Sequence, residues 1–239
     1  LVVMALVAFV GCTKAAETPT AVPIATTEST QPTAVNTAVP PTTDENDGLP
    51  PVAAYNLGET TIVQAGFPQD SRFRDMPVQL NGLIAVPDAG DGPFPVIMVL
   101  HGTHPGCPLD EMGVDRWPCA PEDEQPNYQG FDYLLRHFAS QGYVALSINA
   151  NAENTFGFGE PQPGERLRQL IDLHLSALAT AVSGGQNDFG VALNGRADLH
   201  KLAFIGHSRG GEGIVWLAEG LGMAAPDAFD RFGFGPVRG

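Results

Sequence analysis

The alternation of apolar and polar positions divides this chain near residue 52. Before that point no period of two or of 3.6 can be found, whereas beyond it short apolar runs and helical stripes take turns. Residues 78–86 mix apolar and polar side chains and close at Pro87, which predicts an antiparallel strand near a sheet edge. Residues 96–100 form a continuous β-branched and aliphatic run, as in a strand covered on both faces. A long stretch without period follows, through Tyr128. Phe131, Leu134, Leu135 and Phe138 then fall at helical spacing within 131–140, and Gly142 stops that helix. Residues 143–148 read as the next buried strand. Within 164–183, Leu167, Leu170, Ile171, Leu173, Leu175, Leu178 and Val182 make a broad helical stripe that ends at Gly184-Gly185. A third buried strand is expected at 202–205 and a helix from just after Ser208 to about Leu221. Strands alternating with helices predict an α/β fold, with a mostly parallel sheet flanked by helices. No internal repeat is visible.

The segment before the fold has its own character. Residues 1–10 are unbroken apolar and end at Gly11-Cys12, too short to span a bilayer but suited to the apolar core of a signal peptide. A small residue directly before a cysteine resembles the lipobox of bacterial lipoproteins, which implies that Cys12 is acylated and becomes the mature N-terminus. An uncleaved anchor and a buried apolar strand are the other readings of this run. The run lacks an initiating Met and a basic flank, so the recorded N-terminus is expected to be clipped. Residues 13–52 are rich in Thr, Pro, Ala and Val, carry Asp44, Glu45 and Asp47, and cannot bury a core. Extended in the polyproline manner they reach on the order of 100 Å at about 3.1 Å per residue, a tether between an envelope anchor and the domain at 53–239.

Charge and cysteines narrow the classes. With 27 acidic against 12 basic residues, a net charge of -15, the chain lacks the clustered Lys and Arg that phosphate contacts require, and nucleic acid is not an expected partner. Of three cysteines, Cys12 is assigned to lipid, leaving Cys107 and Cys119 as an even pair for a disulfide in an oxidising compartment. Two free thiols are the alternative. His101, His104 and Cys107 stand at metal-ligand spacing, but their Pro- and Gly-rich surroundings offer no regular scaffold, so neither metal nor cofactor is expected.

The stretch most informative about chemistry is 202–213, LAFIGHSRGGEG, which sets Gly206-His207-Ser208-Arg209-Gly210 between a buried strand and a helix. In a G-x-S-x-G elbow the chain reverses so sharply that small residues must flank the serine, and its hydroxyl is held up at a helix N-terminus. The strand at 96–100 leads into VLHGTHPG, a second element of the same chemistry. Acyl transfer needs two preorganised N–H donors for the tetrahedral oxyanion, one after the nucleophile and one from a loop after an earlier strand. Arg209 and Thr103 hold those positions and would act through their backbone amides.

Together these blocks resemble the α/β-hydrolase superfamily, near its bacterial polyester hydrolase, cutinase and dienelactone-hydrolase-like branch. The similarity runs from about Val78 to Gly222 through GLIAVP, PFPVIMVLHG, GYVALSIN, ERLRQLIDLHLSAL and ADLHKLAFIGHSRGG. It implies a serine hydrolase acting on carboxylic esters through an acyl-enzyme at Ser208, with a histidine and an acid following the serine in chain order. No histidine follows Ser208, and Asp227 and Asp230 come before another strand has formed, so the base and acid are expected beyond Gly239. A non-catalytic envelope lipoprotein using the same scaffold for binding is the rival reading.

Nearby polar residues receive lesser roles. An elbow turns the side chain beside the nucleophile away from it, so His207 is expected to pack; Glu212 suits the positive end of a helix dipole. His137 and His174 fall on helices as surface or packing residues. Asn149, Asn151 and Glu153 follow a strand's C-terminal end, where α/β sheets place ligands, which makes them candidates for lining a cleft and no more. The loop before Tyr128 is either a lid whose Trp117 and Tyr128 form an apolar wall or a stabilised surface excursion.

Overall fold

A computed structural model describes residues 2–3, 48–64, 66–71, 74–155 and 163–223. Residues 13–47 of the tether, Cys12, Asp227 and Asp230 lie outside the described residues. Strands β1 (Val2–Val3), β2 (Val52–Val63), β3 (Asp75–Ala85), β4 (Phe94–Leu100), β5 (Val144–Ile148) and β6 (Ala197–Gly206) form one sheet in the order β1-β6-β4-β5-β3-β2. Helices α1 (Asp132–Ser140), α2 (Asn151–Thr155), α3 (Pro163–Val182) and α4 (Arg209–Met223) connect and follow them.

Pairing is parallel from β5 through β4 to β6, and antiparallel where β3 meets β5 and β2. The sheet is therefore mixed, which amends the expected mostly parallel arrangement. Strands β2 and β3 are joined by the short stretch between Val63 and Asp75, and a strand joined to its neighbour by a short connection pairs antiparallel. Strand β3 is antiparallel to both neighbours and lies near the sheet edge, as expected. The edge itself belongs to β2, whose buried hydrophobics among its twelve residues are Tyr55 and Ile62, too few to print a period of two.

The continuous apolar run of β4 reflects burial on both faces. Val96, Met98 and Leu100 join the larger core cluster with Leu167, Leu170, Ile171 and Leu175 of α3 and Ile214 of α4. Ile97 and Val99 point the other way, toward Leu135 and Ala139 of α1. The two helical layers follow from strand order: the chain leaves β4 by α1 to reach β5, then returns past β4 through α3 to reach β6. Right-handed crossovers running in opposite directions along a sheet place their helices on opposite faces. Loops after β4 and β6 consequently meet at the carboxyl end of the sheet where the order reverses, the usual place for a ligand crevice.

Val2 and Val3 pair in parallel with Ala203 and Phe204 on the outer side of β6.

Candidate active site

Between the last residue of β6, Gly206, and the first of α4, Arg209, only His207 and Ser208 make the turn. Ser208 adopts φ 53°, and among the described residues no other non-glycine has a positive φ. Such a conformation costs a serine on the order of 1–3 kcal/mol and persists only where surrounding contacts impose it. Here they do. The amides of Gly210, Gly211 and Glu212 donate to the carbonyls of His207 (2.9 Å), Ser208 (2.9 Å) and Ser208 (3.1 Å), while the His207 amide donates to Leu100 O at 3.0 Å and binds the turn to β4. The flanking glycines are required by space. A Cβ on Gly206 would run into the backbone of Gly210 and Gly211; one on Gly210 would stand 2.5 Å from Leu100 O and 2.7 Å from His101 O.

Ser208 and Thr103 are both exposed, and Gly102 lies against the serine: a Cβ on Gly102 would be 2.7 Å from Ser208 Cβ. Thr103 thus follows a residue in contact with Ser208 from one side, and Arg209 opens the helix directly after it.

His101 is 2% exposed, and burial depresses its basicity to a pKa of about 4. His207, expected to pack, is instead exposed, with its ring stacked on that of His104 at a centroid separation of 6.3 Å and an angle of 4°. Glu212 is exposed in the first turn of α4. His137 is exposed on α1, whereas His174 is fully buried on α3 with Nδ1 2.9 Å from Tyr55 Oη, and burial lowers its pKa to about 3.

Asn149, Asn151 and Glu153 do not line an open cleft. The Asn149 and Asn151 amides both donate to Glu124 Oε1, at 2.6 and 2.9 Å, and Asn151 donates also to Gln125 O at 2.8 Å, tying the long loop to the end of β5. Glu153 is paired with buried Arg166 at 2.8 Å. Burial pushes the Glu153 carboxyl up to about 7 against the pull of that guanidinium. Glu153, Asn154, His101, Arg209 and Gly210 border a void of about 10 Å³, space for a single water and not for an acyl group.

The loop after β4 carries the Cys107–Cys119 disulfide, with a Cα–Cα distance of 5.8 Å. That bond excludes Cys107 as a metal ligand, and among the described residues no group of three or more His, Cys, Asp and Glu side chains could hold a metal. Trp117 and Tyr128 are 4% and 8% exposed, and the Trp117 indole donates to Pro77 O at 3.3 Å. Both rings pack inward, so neither ring forms the apolar wall in one of the two readings of this loop. Sequence reasoning missed Asn154, Arg166 and Glu124. A buried arginine beside a leucine stripe leaves no mark in a periodic pattern, because its partner is reached only through the fold.

No protein-family model matches this sequence, and no curated protein does. Among solved structures it is similar to esterase B from Lactobacillus rhamnosis, at 16% identity over 76% of this chain and 45% of that one, TM-score 0.34. Glucuronoyl esterase from Solibacter usitatus is similar at 15% identity over 71% and 49%, TM-score 0.35. Acylaminoacyl peptidase from Pyrococcus horikoshii gives 16% over 74% and 22%, TM-score 0.36. The chain spans about half the length of the two esterases.

Proposed function

We propose that this chain carries the nucleophile and oxyanion loop of a serine ester hydrolase of the α/β-hydrolase type. The observation that carries the reading is Ser208 at φ 53°, raised between a strand and a helix by glycines that tolerate no Cβ. A backbone strained at one exposed hydroxyl points to function rather than to packing. Ser208 Oγ attacks the ester carbonyl carbon, the Thr103 and Arg209 amides donate to the oxygen as it becomes anionic, and the alcohol leaves. Water then attacks the acyl-enzyme, releasing the acid and regenerating Ser208. The base that takes the Oγ proton, and the acid that orients it, are assigned to residues after Ser208 and outside the described ones, as in the Ser-acid-His order of this fold.

We place the protein at the cell envelope, held by lipid on Cys12. The disulfide supports an oxidising compartment. Replacing Ser208 by Ala in the longest chain that the reading frame encodes should abolish both fluorophosphonate labelling and turnover of short p-nitrophenyl esters. Turnover retained by that variant would reject Ser208 as the nucleophile. A wild-type chain that neither labels nor turns over would favour the binding-scaffold reading.

A further inference from the structure

We infer that His101 and Asn154 are positioning residues that clamp the Gly102 carbonyl and so aim the Thr103 amide at the oxyanion; the inference rests on the hydrolase reading above. The Gly102 carbonyl has two neighbours, His101 Nδ1 at 2.8 Å and Asn154 Nδ2 at 2.9 Å. The rest of the network decides which atom carries the imidazole proton. The Ala150 amide donates to His101 Nε2 at 2.9 Å, so Nε2 holds a lone pair and, in a neutral ring, the proton is on Nδ1. His101 Nδ1 therefore donates to Gly102 O, and the Asn154 amide nitrogen, facing the same oxygen, donates as well. The 3.3 Å approach of Asn154 Nδ2 to His101 Nδ1 is then a contact between two donors that share an acceptor.

Gly102 C=O and Thr103 N–H belong to one planar trans peptide and point in opposite directions. Holding the carbonyl inward from both sides turns the amide outward, to the face where Ser208 and Thr103 are exposed. Side-chain donors at two points also resist rotation of the plane, which a single hydrogen bond would allow. Neither donor can easily leave: His101 is 2% and Asn154 7% exposed. Protonating His101 would place an N–H against the Ala150 N–H, so the ring stays neutral in the folded protein, in line with its depressed basicity. Asn154 is anchored in turn by α2, where its amide donates to Ala150 O at 3.0 Å, and Ala150 is the residue whose amide sets the His101 tautomer. One short helix thereby orders both donors.

Removing an oxyanion donor outright lowers kcat by about 10²–10³. Loosening one through its clamp should cost less, about tenfold to a hundredfold, with KM nearly unchanged because the ground-state ester does not use the donor. The test compares Asn154→Leu, His101→Asn and His101→Gln in the longest encoded chain, with Ser208→Ala beside them, reading kcat and KM on p-nitrophenyl butyrate and the urea midpoint. Asn places an N–H donor where Nδ1 was, whereas Gln preserves reach only toward Ala150. The clamp predicts that Asn154→Leu and His101→Gln lose kcat with KM kept, and that His101→Asn recovers much of it at the same urea midpoint as His101→Gln. Unchanged kcat in Asn154→Leu, or losses that follow the midpoint and are equal for the two His101 variants, would overturn the clamp while leaving the hydrolase reading intact. Turnover surviving in Ser208→Ala would overturn both.

Discussion

Gly210→Ala tests the elbow through a single methyl group. The new Cβ would sit 2.5 Å from Leu100 O, 2.7 Å from His101 O and 2.9 Å from Leu100 C, all backbone atoms at the end of β4. Moving the shortest of these to the 3.4 Å at which ordinary contact begins requires a displacement of about 0.9 Å (3.4 less 2.5) between α4 and β4. No side chain can rotate to relieve it, so the stability cost belongs at the upper end of the ~1–3 kcal/mol typical of overpacking. The functional cost is larger. The same shift separates Ser208 and Arg209 from Thr103, and misplacement of reacting groups by about 1 Å lowers rates by about 10². Gly213→Ala is the matched control. It makes the same chemical change on the same helix, but its Cβ would stand 1.9 Å from Leu167 Cδ2, the end of a side chain and not backbone, so a rotamer change and not a shift of α4 against β4 makes the room. Urea midpoints and the second-order rate of fluorophosphonate labelling, read by intact mass, separate the two. Gly210→Ala should label about a hundredfold more slowly and Gly213→Ala within a few-fold of the parent. Equal labelling rates for the two variants would refute the argument that backbone proximity at Gly210 shapes the site.

Three further outcomes are expected. Opening the disulfide with Cys107→Ser and Cys119→Ser should lower the urea-unfolding free energy by about 3 kcal/mol, the loop entropy of a crosslink across 12 residues; a loss under ~1 kcal/mol would mean that the loop's own hydrogen bonds hold it. Truncating Leu135, fully buried between α1 and the sheet, to Ala should cost about 2–5 kcal/mol in the same assay, and a change below 1 kcal/mol would show that this face collapses around the gap. Stability should also fall as pH drops from 6.5 to 4.5. His101 and His174, whose folded pKa values of about 4 and 3 lie below the unfolded 6.5, each take up a proton on unfolding in that window, while Glu153, raised from 4.5 to about 7, releases one. The net uptake of one proton gives a slope of about 1.4 kcal/mol per pH unit, and Glu153→Gln should steepen it toward twice that. A flat profile between pH 6.5 and 4.5, or one unaffected by Glu153→Gln, would contradict the assigned burial.

What the sequence determined by itself is whatever is written within a few consecutive residues. Strands β4 and β5 and the core of β6 showed as apolar runs, and α1 and α3 as stripes, because burial on both faces or along one stripe leaves a local pattern. The elbow was legible for the same reason, since a turn of two residues between Gly206 and Arg209 can demand glycine only at fixed offsets. Tertiary structure decided the rest. Strand β2 has few buried positions and owes its place to hydrogen bonds with β3, which side-chain patterns do not encode. The mixed sheet follows from which edges were left to pair. Trp117 and Tyr128, which composition offered to a cleft, were claimed by the core. Asn154 meets Gly102 across 52 positions and Asn149 meets Glu124 across 25, and buried polar groups must find partners wherever the fold brings them. Such pairings arise from the enclosure of donors and acceptors away from water, a condition that exists only once the chain has folded.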